Sequence, residues 1–351
     1  MKKVLSILLI VLMVGLILAG CSSKQAQQPA QQEQAQQQQQ SQPQQEQAKK
    51  DKYEFAVIVK ATDSDFWQYV LIGANNAAKD NPAIHVTTYG PPSEADIDKQ
   101  VSILENVVNQ KPDAIVIAST SSDATVPALE KAHDQGIKII TIDNKVKTDK
   151  IDSFLATDNI EAGGKAAQKL VDELKAKGIP LKGKVGIISA MAGVQVLIDR
   201  DKGFTDKLKE LAPDIQIVGP RYVDNDVLKA VSAAENILTA NKDVIGFFAD
   251  NNMTGDGLSR VITERKLQDK VVAVAFDSDP EEIKALESGA LKALILQDPY
   301  GMGYKGVMSA YDALQGKTLE KYINTGSTVV TKENMNQQEI KELLDPTLKK
   351  K

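Results

Sequence analysis

DAIVIASTSSDATVPALEKAHDQGIKIITID, residues 113 to 143, holds one complete repeat of the pattern that runs through most of the chain. Each end is a short Val/Ile-rich run, apolar on both faces. Between them lies a segment of helix length, predicted over Asp123 to Gln135. Apolar runs of this kind are strands covered on both sides, as in a parallel sheet. Parallel neighbours need a long crossover, which the helix supplies.

The same alternation extends in both directions. Upstream stand YEFAVIVKA, a helix from about Phe66 to Lys79, IHVTTYG, and a helix from Glu94 to Gln110. In the second of these helices Ile97, Val101, Leu104, Val107 and Val108 share one face. The pattern restarts after SFLATDN with a helix from Ile160 to Lys177, KVGIISA, a helix from near Asp199 to Leu211, and IQIVGPRYV. A helix from Val227 to Ala240, VIGFFAD, a helix from Thr254 to Arg265, and VVAVAFD come next. A helix from Pro280 to Ser288, ALKALILQD and a last long helix from Met302 to Leu314 complete it. These units are too many for one sheet. The predicted fold is α/β, two doubly wound parallel-sheet lobes joined by a hinge, with a junction near Thr157 and a return crossing near Gln297 and Asp298. The first lobe is expected to take residues 53–157 and 298–326, and the second 158–297 and 327–351.

The N-terminal region has a different character. Lys2 and Lys3 precede an apolar stretch from Val4 to Ala19 that closes on Leu18-Ala19-Gly20-Cys21. The stretch is shorter than the about 20 residues a stop-transfer helix needs, so residues 1–20 read as an export signal. LAGC resembles the lipobox of bacterial lipoproteins, in which the cysteine is lipidated. Cys21 is the chain's only cysteine, so no internal disulfide can form and lipidation gives the thiol a role. Residues 21–52, mostly Gln, Ala, Ser and Pro, read as a disordered tether behind the lipidated Cys21. The expected location is beyond the cytoplasm, at the outer face of the membrane or in the periplasm, held to the bacterial membrane by the lipid anchor.

Charge narrows the function. The 42 basic and 47 acidic residues are interspersed, the net charge is −5 and there is no basic stripe, so nucleic acid is excluded as a partner. The two histidines, His85 and His133, stand apart from each other and from Cys21. With no ligand spacing and no nucleophile constellation, neither metal, cofactor nor catalysis is expected. Gly163-Gly164-Lys165 lacks the spacing of a phosphate loop, and its glycines read as helix-packing positions.

In open α/β sheets, ligands collect beyond the carboxyl ends of the strands. Those ends carry Lys60, Ser64, Asp143, Asn144, Asn251, Asp277 and Gln297, with Phe66 and Trp67 just after the first. Side chains that donate and accept, beside flat rings, suit a neutral polyhydroxylated ligand. Lys60 can only donate. Unless it simply pairs with Asp63 or Asp65, it is expected to turn selectivity toward an oxidised or otherwise oxygen-rich sugar.

Residues 53 to about 332 resemble the ribose/galactose-type periplasmic sugar-binding proteins, the type I solute-binding components of ABC importers. The resemblance rests on ITIDN (140–144), ATDNIEAGGKAA (156–167), IDRDKGF (198–204), AENILTANKDVIGFFADNN (234–252), VVAVAFDSDPE (271–281) and LQDP (296–299) in that order. It implies ligand-binding roles for Asp143, Arg200, Asn251, Asp277 and Gln297, with Phe66 and Trp67 stacking on the ligand. Lys60, Ser64, Asn144 and Asn225 depart from the ribose-type pattern within the implied pocket. The resemblance further implies a monomeric binding protein, not an enzyme, that delivers a small sugar to a permease and its ATPase. Lys60 also resembles the lysine of furanosyl quorum-signal receptors, which would make Asp199 a candidate on the opposite lobe. A receptor output for chemotaxis or signalling is the alternative.

Overall fold

In the computed structural model the described residues are 50–349. The predicted signal segment, Cys21 and nearly all of the predicted tether lie outside them.

The first sheet is built from β1 (Tyr53–Ile58), β2 (Ile84–Tyr89), β3 (Ala114–Ile117), β4 (Lys138–Ile142), β5 (Ser153–Ala156) and β11 (Tyr322–Asn324), in the order β11-β5-β4-β3-β1-β2. All its pairings are parallel. The second contains β6 (Gly183–Ser189), β7 (Ile215–Tyr222), β8 (Val244–Ala249), β9 (Val272–Phe276), β10 (Ala293–Leu296) and β12 (Thr328–Val330), in the order β12-β10-β9-β8-β6-β7. Here only β12 runs antiparallel, against β10. The strands β3 and β9 are buried along their whole length, which is why they read as unbroken apolar runs.

Helices α1 (Asp65–Asp80), α2 (Ile97–Gln110), α3 (Val126–Asp134) and α9 (Pro299–Leu314) belong to the first sheet. Those of the second are α4 (Asn159–Ala176), α5 (Gln195–Leu211), α6 (Val227–Ala240), α7 (Asn252–Glu264) and α8 (Pro280–Ser288). Two helix pairs approach backbone to backbone. A Cβ on Gly73 of α1 would lie 2.0 Å from the Tyr300 carbonyl of α9, and one on Gly163 of α4 would lie 2.1 Å from the Arg200 carbonyl of α5. Only glycine permits either contact.

The lobes communicate at Thr157, at Gln297–Asp298 and between β11 and β12. The first and third of these crossings bond to each other, since Thr157 Oγ1 donates to the Gly326 carbonyl (3.2 Å). After β12, α10 (Gln338–Leu344) packs beneath the second lobe through Ile340 and Leu344. Beyond it the chain returns to the first lobe. The 3-10 turn Pro346–Leu348 packs on α1, and Lys349 Nζ lies 4.1 Å from the ring centroid of Tyr300 in α9.

Candidate functional site: a polar cleft between the lobes

The first-lobe wall is organised around Lys60. It follows β1 and is only 2% exposed, and its Nζ lies 2.5 Å from Asp143 Oδ2 and 5.5 Å from the Trp67 ring. Its ionic partner is therefore Asp143, neither Asp63 nor Asp65. Phe66 and Trp67 open α1 in an edge-to-face pair with centroids 4.8 Å apart. The Trp67 indole N–H donates to Glu94 Oε1 at 2.7 Å. Glu94 is a site residue that the sequence does not reveal, because the apolar pattern predicts a helix starting there. Instead α2 begins at Ile97 behind the N-cap Asp96, which leaves Glu94 on the preceding loop facing the cleft. Burial pushes its carboxyl above the usual range, while Lys60 and the Trp67 hydrogen bond oppose that shift.

The second-lobe wall centres on Arg200 of α5. Its guanidinium sits 4.3 Å from the Phe276 ring centroid. Nε donates to Asn159 Oδ1 (2.9 Å), Nη1 donates to the Asp250 carbonyl (2.8 Å), and Nη1 is 3.9 Å from Asp277 Oδ2. Gln297 Nε2 donates to Asp277 Oδ1 at 2.8 Å. Burial raises the Asp277 carboxyl to about 6, against the opposing pull of Arg200 and Gln297. The cap of α8 is Asp279, not Asp277, so Asp277 remains free to face the cleft. Asn252 Nδ2 lies 3.3 Å from Asp279 Oδ2 and 3.5 Å from Ser64 Oγ of the first lobe.

Asp143 and Asp277 occupy matching places. Each follows the end of a central strand, β4 or β9, with left-handed φ of 64° and 71°. Each backbone N–H donates to the neighbouring strand, Asp143 to Leu155 O (2.8 Å) and Asp277 to Ile295 O (3.0 Å). Left-handed backbone is unfavourable for residues with a side chain, and Asp and Asn tolerate it better than most. Strain of this kind concentrates where a side chain must be aimed at a function.

Lys60, Ser64, Phe66, Trp67, Asp143, Arg200, Asn251, Asp277 and Gln297 line one cleft, joined by Glu94, Asn252 and the apolar Val194, Val196 and Leu197. Three expected residues are placed elsewhere. Asn144 turns away toward Ser122, its Nδ2 3.4 Å from Ser122 Oγ. Asn225 stands behind the wall and accepts from Asn251 Nδ2 at 2.7 Å, so it orients a lining residue. Asp199 accepts from Gln195 Nε2 on its own helix (2.8 Å) and lines a neighbouring cavity. The lining carries two cations, Lys60 and Arg200, against three carboxylates, Glu94, Asp143 and Asp277. The Lys60 charge is paired with Asp143, so the lining offers no unpaired ammonium to an acidic sugar.

Asp143 Oδ2 is engaged by the Lys60 ammonium at 2.5 Å. Among the described residues, Gln297 Oε1 is a buried acceptor in the cleft with no hydrogen-bond partner. Unsatisfied acceptors call for donors, and a sugar hydroxyl is one. The enclosed volume is about 30 Å³, room for about two waters. A monosaccharide therefore enters only as the lobes or side chains move apart. A larger cavity of about 660 Å³ adjoins it on the side of β5 and β11. The smaller cleft is the better sugar site because the converging polar groups of both lobes meet there.

The profile of the periplasmic binding protein domain matches residues 55–318. The chain belongs to that family, in its ribose/galactose-type sugar-binding branch. It is 29% identical over 267 residues to the D-allose-binding periplasmic protein of Escherichia coli, covering 74% of this chain and 84% of the relative. Among solved structures, a carbohydrate transporter solute-binding protein from Agrobacterium radiobacter in complex with D-arabinose superposes with a TM-score of 0.81 at 37% identity, covering 84% of this chain and 99% of that one. An ABC transporter solute-binding protein from Agrobacterium vitis with bound D-fucose gives 0.78 at 38% identity, covering 83% and 99%. Members of this periplasmic binding protein family are binding proteins of transporters, not enzymes.

Proposed function

We propose that this chain is the lipid-anchored solute-binding subunit of an ABC importer. Exported and held at the outer face of the membrane through Cys21, it captures a small neutral monosaccharide between its lobes. It then presents the closed form to a permease and its ATPase. The observation that carries this reading is the convergence of polar side chains from both lobes on one cleft, where the buried Gln297 Oε1 has no hydrogen-bond partner among the described residues. A polyhydroxylated ligand supplies the donor that Gln297 Oε1 lacks, and the Phe66–Trp67 pair offers it an apolar face. Relatives that bind allose, arabinose and fucose support the same ligand class. Closure about the hinge is then driven by the ligand's greater affinity for the closed state.

A calorimetric and thermal-shift screen of neutral aldoses, ketoses, polyols and sugar acids tests the binding reading. At least one neutral monosaccharide should bind saturably and raise the unfolding temperature, and Asp277→Ala should weaken it at least tenfold. A screen in which no neutral monosaccharide binds overturns the proposal. The anchor is tested separately. Cys21→Ser should abolish fatty-acid labelling and release the protein from the membrane fraction, and unchanged labelling excludes the lipid site.

A further inference from the structure

We infer that the cavity of about 660 Å³ beside the sugar cleft is a second subsite, which receives an O-linked aryl or glycosyl substituent on the sugar held in that cleft. The inference rests on the proposed sugar-binding function and deepens it. The two spaces share a wall, since Asp143 and Val196 line both. A substituent on a hydroxyl next to the one that donates to Asp143 has only that wall to pass. The cavity also has the chemistry for a ring. Phe154 of β5 and Tyr322 of β11 pair at 5.6 Å between centroids, tilted by 39°, and both line it. Ile160 and Val196 supply further apolar surface from the second lobe.

A polar anchor is present as well. Asn144 is fully buried and lines this cavity, and its Oδ1 has no hydrogen-bond partner. A buried amide oxygen left unpaired is costly, so it calls for a donor from the occupant. An N–H or hydroxyl on the substituent meets that need. Walls from β5, β11 and α5 mean that both lobes shape the cavity, so its occupant is sensed by closure in the same way as the sugar. Lys145 and Lys321 are outnumbered by Asp149, Asp158 and Asp199 around the rim, which disfavours an anionic substituent.

The test uses the full chain, purified in detergent, with calorimetric titration of free neutral monosaccharides and of their methyl and phenyl glycosides in both anomers. One phenyl glycoside should bind roughly three- to tenfold more tightly than its methyl counterpart. Tyr322→Ala should erase that difference and Tyr322→Phe restore it, with affinity for the free sugar unchanged within about twofold in both variants. The free sugar thus also verifies that each variant folds. If free sugars bind but every phenyl glycoside binds more weakly than its methyl counterpart, the subsite is excluded and the sugar cleft stands. The subsite is likewise excluded if Tyr322→Ala leaves the phenyl preference intact. If no sugar binds at all, the proposed function falls and the subsite with it.

Discussion

Lys60 Nζ lies 2.5 Å from Asp143 Oδ2, with both side chains almost wholly buried. The pair links the end of β1 to the end of β4 and holds the first-lobe wall of the cleft together. Removing one partner of a buried ion pair leaves an uncompensated charge, at a cost of about 3–5 kcal/mol. Lys60→Met should therefore lower stability by that order, and adding Asp143→Asn should recover part of the loss. Chemical unfolding of the two single variants and the double variant measures the coupling. Because the cation is already matched, a uronic acid should bind at least tenfold more weakly than its neutral parent sugar. Tighter binding of the acid would show that Lys60 is available to the ligand after all.

Trp67 is the only tryptophan, and it touches three functional groups. Its N–H donates to Glu94, its face lies near the Lys60 ammonium, and its edge meets Phe66. Ligand binding should change its fluorescence, and the change should track calorimetric saturation. Glu94→Leu leaves the indole N–H without its partner and removes an acceptor from the cleft. A hydrogen bond to a charged group contributes about 1.5–3 kcal/mol, so ligand affinity should fall roughly ten- to a hundredfold. An unchanged affinity would confine Glu94 to holding Trp67.

The βα alternation is legible because the central strands are covered on both faces and so lack polar positions. What depends on a few residues is less so. The strands β11 and β12 are three residues each, too short to carry a period, and α10 follows them without a strand signal. Glu94 escapes a sequence reading because the apolar stripe begins at Ile97 and a helix can be extended backward over a polar stretch at no cost to the pattern. Asn144 enters the expected pocket because it stands at the carboxyl end of a strand, and Asn225 through the family resemblance. The left-handed turn at Asp143 sends the next side chain elsewhere, and Asn225, itself left-handed at φ 53°, faces Asn251. The carboxyl group of Glu282 carries no local signal at all. It is buried by α7, where a Cβ on Gly255 would come within 2.0 Å of its Oε1.

Around that carboxyl the second lobe buries acids that give stability a defined pH dependence. Burial raises the Asp279 carboxyl, and the N–H groups of Glu281 and Glu282, which donate to its Oδ1 at 2.9 Å each, oppose that rise. Burial, with the nearby negative charge of Asp279, pushes Asp256 up to about 8. Glu282 is raised well above its ordinary value by burial and by the same neighbours. Asp277 is raised to about 6. In the unfolded chain such carboxyls titrate near 4. The folded protein therefore binds more protons than the unfolded chain between about pH 4 and 8, and stability falls as pH rises through that window. Acids with depressed values, such as Asp134 and Asp206, are exposed and contribute little. The unfolding temperature should be higher at pH 5.5 than at pH 8, and Asp256→Asn should flatten the slope. A temperature that rises across this range would contradict the assignment.

Gly163 and Gly164 are adjacent on α4 and meet opposite circumstances. A Cβ on Gly163 would lie 2.1 Å from the Arg200 carbonyl and 2.9 Å from the Phe204 nitrogen, both backbone atoms of α5. The nearest neighbour of a Cβ on Gly164 is 3.8 Å away, an ordinary contact. Gly163→Ala must therefore push α5 outward, and Arg200 travels with it. Overpacking of this kind costs about 1–3 kcal/mol, and the guanidinium is drawn from its place between Phe276, Asp277 and the Asp250 carbonyl. Gly164→Ala meets no obstruction and gains the higher helix propensity of alanine, up to about 1 kcal/mol. The expected outcome is a divergence between neighbours. Gly163→Ala lowers stability and weakens sugar binding by roughly tenfold or more, while Gly164→Ala raises stability and leaves affinity unchanged. Equal affinities in the two variants would mean that the α4–α5 contact does not set the position of Arg200.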